Sequence, residues 1–342
     1  MEHPSHVGKY EIEQFLGGGM SHVYRAKDTV LGRRVAVKIL TRTATADEES
    51  KARFLLEARM ASNITHENII SIFDFGESDG QPYIVMEYLE GESLRSAIKS
   101  GHLGDVTWRM RVALQVGRAI DYIHSKKIIH RDIKPENINI DRSGKVKLMD
   151  FGVAKAQGVQ LTRSGFTLGT PYYMAPEQVL GRALTPQADV YAFGLLMYEM
   201  LTEKKALTGD NVEQIFEKIL YQPLDLTALR RPDIPAGIAD VISRCVAKQP
   251  AQRPKSAGQV CDEIERALNP FYVPPPPNPK SEDETMELRA LSRHDFPGEM
   301  PGIVRMLPQS LQTPTGLMLL AGAAVVGGFA VLYVILRLAH VV

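Results

Sequence analysis

His130-Arg131-Asp132-Ile133-Lys134-Pro135-Glu136-Asn137 is the stretch around which this chain of 342 residues is organised. Its acids, bases and amide make it too polar for a core strand. Asp132 can accept a proton from a hydroxyl nucleophile, while Asn137 and Asp150 offer the hard oxygen atoms that Mg²⁺ prefers. Lys134 adds positive charge beside the group that is transferred. The stretch therefore provides positioning and charge neutralisation, which are what phosphoryl transfer requires.

Two further motifs follow this octapeptide, Asp150-Phe151-Gly152 and Ala175-Pro176-Glu177. A single Asp-Phe-Gly is usually a turn, but the ordered set resembles the eukaryotic-like Ser/Thr protein kinases. Gly-Gly-Met-Ser at residues 18–21 and Met174-Ala175-Pro176-Glu177-Gln178 are most similar to bacterial members. The resemblance implies an α+β, two-lobed protein kinase fold over residues 8–268, with a β-rich N-lobe to about residue 88 and a larger helical C-lobe from about residue 89.

Composition excludes some classes of partner and site. The chain has 40 basic and 40 acidic residues, so no global field favours nucleic acid as a partner. Cys245 and Cys261 match no metal-ligand spacing and fall in helix-like stretches, which predicts buried free thiols rather than a disulfide. Met1-Glu2-His3-Pro4 lacks a basic start and an apolar run, so no signal peptide is expected.

A glycine cluster separates two β-prone runs near the N-terminus. It lets backbone N–H groups approach phosphate oxygens, although a plain hairpin turn uses the same residues. Counted back from Val23, the spacing departs from the family's G-x-G-x-x-G-x-V. Gly18 takes the second glycine, but Leu16 and Ser21 take the first and third. A loop one residue shorter would restore Gly17 as the first glycine. By resemblance, the ATP-binding residues of this part of the chain are Leu16, Gly17, Gly18, Gly19, Val23 and, on the next strand, Ala36.

Val35-Ala36-Val37-Lys38-Ile39-Leu40 is an apolar strand that carries one lysine. A lysine on the solvent face is the simpler interpretation. The resemblance instead implies that Lys38 holds the α- and β-phosphates of ATP and is positioned by Glu57, which lies in the helix-favouring run Lys51–Ala61. Tyr83–Leu89 is predicted as a strand that leads into the hinge between the lobes. By resemblance, its adenine-pocket residues are Met86, Glu87 and Leu89.

Val106–Ser125 repeats apolar residues at three- and four-residue spacing, which predicts a helix that packs in the core. Ile128-Ile129 and Val146–Met149 are predicted as short strands that hold the catalytic loop. By resemblance, Asp150–Glu177 is the activation segment, and Arg131 pairs with a phosphate on it. The phosphosite candidates are loop hydroxyls that could equally be merely solvated: Thr162, Ser164 and Thr167.

The resemblance also assigns residues that position the catalytic loop and the substrate. Thr170 is similar to the threonine that hydrogen-bonds the catalytic Asp and Lys in Ser/Thr kinases, and with Lys134 it favours Ser/Thr over Tyr as substrate. Glu177 is expected to form a buried ion pair with Arg253. Asp189 is expected to accept backbone N–H bonds from the catalytic loop.

Composition changes after residue 268. Residues 269–316, with Pro274-Pro275-Pro276-Pro277, are predicted to be a disordered juxtamembrane linker. Leu317–Leu336 is uncharged and about 30 Å long as a helix, so it predicts a C-terminal transmembrane helix. Residues 337–342 would then be a short extracytoplasmic tail, with the kinase domain in the cytoplasm. Small residues in the span allow a homodimer through this helix or through the kinase domain.

The sequence thus predicts a membrane-anchored enzyme that uses ATP and Mg²⁺, or Mn²⁺, to phosphorylate Ser/Thr hydroxyls of proteins and its own activation segment. The main alternative is a membrane-tethered pseudokinase that serves as a scaffold. It is supported only by the irregular glycine loop. A small-molecule kinase of related fold is a third interpretation, which Thr170 and Ala175-Pro176-Glu177 disfavour.

Overall fold

A six-stranded antiparallel sheet forms the smaller lobe of the computed structural model, which describes residues 3–150 and 171–274. The strand order is β1-β2-β3-β4-β6-β5, and two helices connect β4 to β5. The elements of this lobe are β1 (His6–Val7), β2 (Tyr10–Gly18), β3 (Ser21–Asp28), β4 (Arg34–Leu40), α1 (Arg42–Thr45), α2 (Glu48–Ser62), β5 (Ile72–Ser78) and β6 (Gln81–Glu87).

One face of this sheet packs in an apolar cluster, and the other carries the predicted nucleotide-binding residues. Val35, Val37 and Ile39 alternate along β4 and are buried in one apolar cluster. Residues directly opposite each other in an antiparallel pair project from the same face. The register joins Val23 to Lys38 and Ala36 to Met86, so the other face carries the predicted nucleotide-binding residues.

Helix α2 covers one end of the sheet and carries Glu57. It is capped at its N-terminus by Asp47, whose carboxylate accepts a hydrogen bond from the Ser50 N–H. Phe54 and Ala58 are buried against β4 and β6, which fixes the helix face that bears Glu57. The helix is longer at both ends than the predicted Lys51–Ala61.

The larger lobe is mainly helical, as predicted. Helix α6 is its central element, because every residue from Ala188 to Leu201 is buried. Cys245 and Cys261 are buried with free thiols, as predicted. The helices are α3 (Leu94–Ser100), α4 (Val106–Ser125), α5 (Pro176–Val179), α6 (Gln187–Thr202), α7 (Val212–Tyr221), α8 (Ala236–Cys245) and α9 (Ala257–Leu268).

A small three-stranded sheet holds the catalytic loop against this lobe. Its order is β7 (Glu92–Ser93), β8 (Ile138–Ile140) and β9 (Val146–Leu148). The predicted strand at Ile128-Ile129 is wrong. The Ile128 N–H bonds the Ile123 carbonyl and closes the end of α4, so that backbone is committed to the helix terminus. The strand that supports the loop comes after it, at β8.

None of the helices within residues 3–150 and 171–274 is long and apolar enough to cross a membrane. The predicted transmembrane helix Leu317–Leu336, the linker from residue 275 onward and the tail lie outside the described residues.

Candidate active site

Lys38 lies between two carboxylates on the inner face of the small lobe. Its ammonium is 3.2 Å from Glu57 Oε1 and 2.8 Å from Asp150 Oδ1. Burial would lower the pKa of Lys38, but Asp150 and Glu57 raise it above its ordinary value. The Lys38 charge holds the pKa of Asp150 low, while burial raises that of Glu57. Lys38 is therefore a fixed cation, suited to bind phosphate oxygens.

The catalytic loop places Asp132 at the centre of a short hydrogen-bonded set. Lys134 Nζ is 2.8 Å from Asp132 Oδ2, and the Asn137 side-chain amide donates to the same oxygen at 3.0 Å. Asn137 also donates to the Asp132 carbonyl at 2.9 Å. A 3₁₀ turn over Pro135–Asn137 brings these residues together. The carboxylate is thus oriented to accept a proton from a hydroxyl beside it.

Asp189 fixes the start of this loop, as the resemblance implied. Its two carboxylate oxygens accept the backbone N–H groups of His130 and Arg131 at 2.7 and 2.8 Å. Arg131 has a φ of 67°, an unfavourable conformation for a long side chain that these bonds help to maintain. His124 Nε2 lies 2.8 Å from Asp189 Oδ2, which makes it a structural histidine.

Asn137 and Asp150 are the residues that could hold a divalent cation. Met149 N–H bonds the Asn137 carbonyl at 2.8 Å, so the residue before Asp150 is tied to the catalytic loop. Among residues 3–150 and 171–274 no group of three His, Cys, Asp or Glu side chains could ligate a metal alone. An amide and a carboxylate fit Mg²⁺, which commonly takes one or two protein oxygens and completes its shell with phosphates and water.

The glycine hairpin settles the register that counting along the sequence left open. Gly17 pairs with Val23 and Gly18 with His22, and the ladder shifts between Phe15 and Gly17 so that Leu16 is bulged out. Gly18 has a φ of 149°, and a Cβ there would overlap the Ser21 carbonyl. Gly19 has open space around it. Gly17 therefore lies directly opposite Val23, which is consistent with the loop one residue shorter.

A pocket in the small lobe is lined in part by Met86, one of the predicted adenine-pocket residues. Its other lining residues come mainly from β4, α2, β5 and β6, and they include Lys38, Glu57 and Asp150. On the other side of the hinge strand, Glu87 is 2.7 Å from Lys147 Nζ on β9. This ion pair attaches the hinge to the larger lobe, next to the expected adenine contacts of Glu87 and Leu89. Those contacts remain predictions.

Glu177 and Arg253 form the ion pair that was expected from the resemblance. Arg253 Nη1 and Nη2 lie 2.6 and 2.9 Å from the two Glu177 oxygens, and both side chains are buried. Arg253 also donates to the carbonyls of Ala247, Gln187 and Lys248. The pair fixes α5 to the larger lobe. The phosphosite candidates Thr162, Ser164 and Thr167, together with Thr170, lie outside the described residues.

One polar network beside the catalytic loop was not predicted from the sequence. Arg95, at the start of α3, contacts Glu136 of the loop, Tyr173 before α5 and Glu199 of α6. These residues are far apart in the chain and share no motif spacing. The sequence signal is that Glu199 is, besides Asp189, the second acid in the mainly apolar helix α6.

Comparison with known proteins agrees with this geometry. Residues 10–264 match the family model described as protein kinase domain. The chain belongs to this family, and its similarity to Ser/Thr-protein kinases from bacteria confirms the resemblance to the eukaryotic-like Ser/Thr protein kinases.

Its relatives include the Ser/Thr-protein kinase PrkC of Bacillus subtilis, 37% identical over 77% of this chain and 41% of PrkC. Ser/Thr-protein kinase PknA of Mycobacterium tuberculosis is 36% identical over 79% of this chain and 65% of PknA. The chain therefore spans less than two thirds of these relatives. The solved PknI kinase domain of M. tuberculosis aligns with a TM-score of 0.62 and 27% identity, covering 78% of this chain and all of that domain.

Proposed function

We propose that this protein is an ATP- and Mg²⁺-dependent kinase that phosphorylates Ser and Thr hydroxyls of proteins. The observation that carries the proposal is the intact set of Lys38 paired with Glu57, Asp132 oriented by Lys134 and Asn137, and Asp150 beside Lys38.

Each residue of this set has a defined task. Lys38 would bind the α- and β-phosphates, and Asn137 and Asp150 would hold Mg²⁺ or Mn²⁺, which neutralises developing charge when bound. Asp132 accepts the proton of the substrate hydroxyl, and Lys134 places positive charge next to the transferred group. Asp150 is 2.8 Å from Lys38, and this attraction would be shared with the cation once it binds.

The alternative function is a pseudokinase scaffold that binds partners without catalysis. Its one support was the irregular glycine loop. With Gly17 paired to Val23, that loop keeps a glycine at the first position and a tight turn at Gly18. The geometry therefore favours the enzyme.

A transfer assay tests the proposal. The full chain is incubated with Mg²⁺ and γ-labelled ATP, a generic protein and a small-molecule alcohol, and the labelled residues are identified. Phosphoserine and phosphothreonine on the protein are the expected products. Label on the small molecule alone would favour a small-molecule kinase, and no label on any acceptor would favour the scaffold.

Autophosphorylation of the activation segment is part of the same proposal. Arg131 directly precedes Asp132, so a phosphate paired with Arg131 would be coupled to the catalytic loop. Mass spectrometry after incubation with ATP should find phosphate on at least one of the hydroxyls of Thr162, Ser164 and Thr167. If a variant with alanine at all three positions keeps full activity, Arg131 needs no phosphate partner here.

Membrane attachment through residues 317–336 is the remaining part of the proposal, with the kinase domain on the cytoplasmic side where ATP is available. It is supported by the length and lack of charge of that stretch. The full chain should partition with membranes, and deletion of residues 317–336 should release it. Retention of the deletion variant on membranes would contradict this assignment. Tethering would raise the local concentration of kinase domains and promote phosphorylation of one copy by another.

A further inference from the structure

We propose that Arg95 determines substrate specificity by neutralising, from within the protein, an acidic site that would otherwise select a basic residue of the substrate. This inference rests on the proposed function, because it concerns how a protein substrate is chosen. It predicts that the native kinase shows little preference for arginine near the phosphorylated residue.

Each of the three nitrogens of the Arg95 guanidinium has a partner. Its Nε lies 2.8 Å from Glu136 Oε1, its Nη1 lies 2.5 Å from Glu199 Oε1, and its Nη2 donates to the Tyr173 hydroxyl at 2.6 Å. Tyr173 donates in turn to the second oxygen of Glu199. Arg95 is only 14% exposed, so this arrangement is packed into the lobe.

The network lies close to the residue that would receive the substrate hydroxyl. Glu136 follows Asp132 by four residues, so their Cα atoms are at most about 14 Å apart, the reach of about four extended residues. Tyr173 lies in the 3₁₀ turn immediately before α5. A peptide that presents its hydroxyl to Asp132 therefore has neighbouring residues within reach of Glu136.

Charge determines what this site can recognise. Within residues 3–150 and 171–274, Arg95 is the only cation at ion-pair distance from Glu136 and from Glu199. Glu136 is 46% exposed and so faces the solvent from which a substrate arrives. The two carboxylates and the Tyr173 hydroxyl surround the planar guanidinium of Arg95. A site of this shape fits a guanidinium better than an ammonium. With Arg95 in place, that position is already occupied.

Removal of Arg95 should therefore create a preference that the native protein lacks. The probe is a set of serine peptides in which one arginine is moved through positions four before to four after the serine, with alanine elsewhere. For Arg95→Ala we expect kcat/KM to rise by about tenfold or more with arginine at one position, relative to the all-alanine peptide. The same position in the wild-type profile should show no such gain. Lysine there should help less than arginine.

The double variant Arg95→Ala/Glu136→Gln is the matched control, since it removes the exposed carboxylate that the peptide would contact. It should lose the gain. An Arg95→Ala enzyme that phosphorylates the all-alanine peptide but gains no arginine preference would overturn the inference, whereas a wild-type protein that phosphorylates no peptide or protein would overturn the proposed function.

Arg95→Ala could also fail to fold, because it leaves Glu199 buried without its cation. The single variant Glu136→Gln then tests the inference, since Glu136 is half exposed and the fold tolerates the change. If Arg95 occupies the site, the arginine profile of Glu136→Gln should match that of the wild type. A wild-type preference of about tenfold or more for arginine that Glu136→Gln abolishes would show that the acidic site is open to substrate.

Discussion

Replacement of Arg253 by Met should destabilise the protein far more than replacement of an arginine in an exposed ion pair. The Arg253 side chain has no exposed surface, and Glu177 is 6% exposed. Arg253→Met leaves the Glu177 carboxylate buried without its cation and leaves the carbonyls of Ala247 and Lys248 without their donor. Loss of one partner from a buried pair costs about 3–5 kcal/mol.

That cost corresponds to a large shift in thermal stability. At about 2–4 °C per kcal/mol for a domain of this size, we expect the Tm to fall by roughly 6–20 °C. The matched control is Arg244→Met, which breaks the pair between Arg244 and Glu263 on α8 and α9. Arg244 is 45% exposed, so its loss should cost about 0–1 kcal/mol.

Differential scanning calorimetry and urea unfolding of the purified proteins provide the assay. The double variant Glu177→Gln/Arg253→Met should lose less stability than the sum of the single losses, because neither charge is then left alone. If Arg253→Met lowers the free energy of unfolding no more than Arg244→Met does, the pair of Glu177 and Arg253 contributes no more than a surface ion pair. That result would refute the reasoning from burial.

Two further predictions concern the nucleotide site. Gly18→Ala should weaken ATP binding because its Cβ would overlap the Ser21 carbonyl, whereas Gly19→Ala has open space and should bind almost normally. Equal affinities by calorimetric titration would contradict this account of the turn. Lys38→Met should cost more stability at pH 7 than below pH 3.8, because Lys38 holds the pKa of Asp150 below that ordinary value and the stabilisation is lost as pH falls from 3.8 through the lowered pKa. A cost that does not change with pH in urea unfolding would show that the pair of Lys38 and Asp150 does not form in solution.

Residues that share a motif could be placed from the sequence. Asp132 and Asn137 are joined by a 3₁₀ turn whose residues are all in the octapeptide. Lys38 and Glu57 follow from a strand and a helix whose patterns are both visible. Asp189 and the pair of Glu177 and Arg253 came from the resemblance, since nothing in local spacing predicts contacts across 76 residues.

Features that depend on packing could not be placed. The ends of the Arg95 network are 104 residues apart, and only the folding of the larger lobe brings them together. The register of the glycine hairpin depends on the bulge at Leu16, which motif counting does not show. The apolar pair Ile128-Ile129 suggests a strand because apolar character alone does not distinguish a short strand from the residues that close a helix.

The initial rate of phosphoryl transfer by Asp132→Asn, measured with saturating Mg²⁺ and ATP, tests the central claim most directly. The change keeps the size of the side chain and removes the carboxylate that accepts the proton. The rate should fall by about 10²–10⁴, the usual contribution of a positioned general base, while the affinity for nucleotide stays close to that of the wild type. Transfer at the wild-type rate would contradict the assignment of Asp132 as the catalytic base.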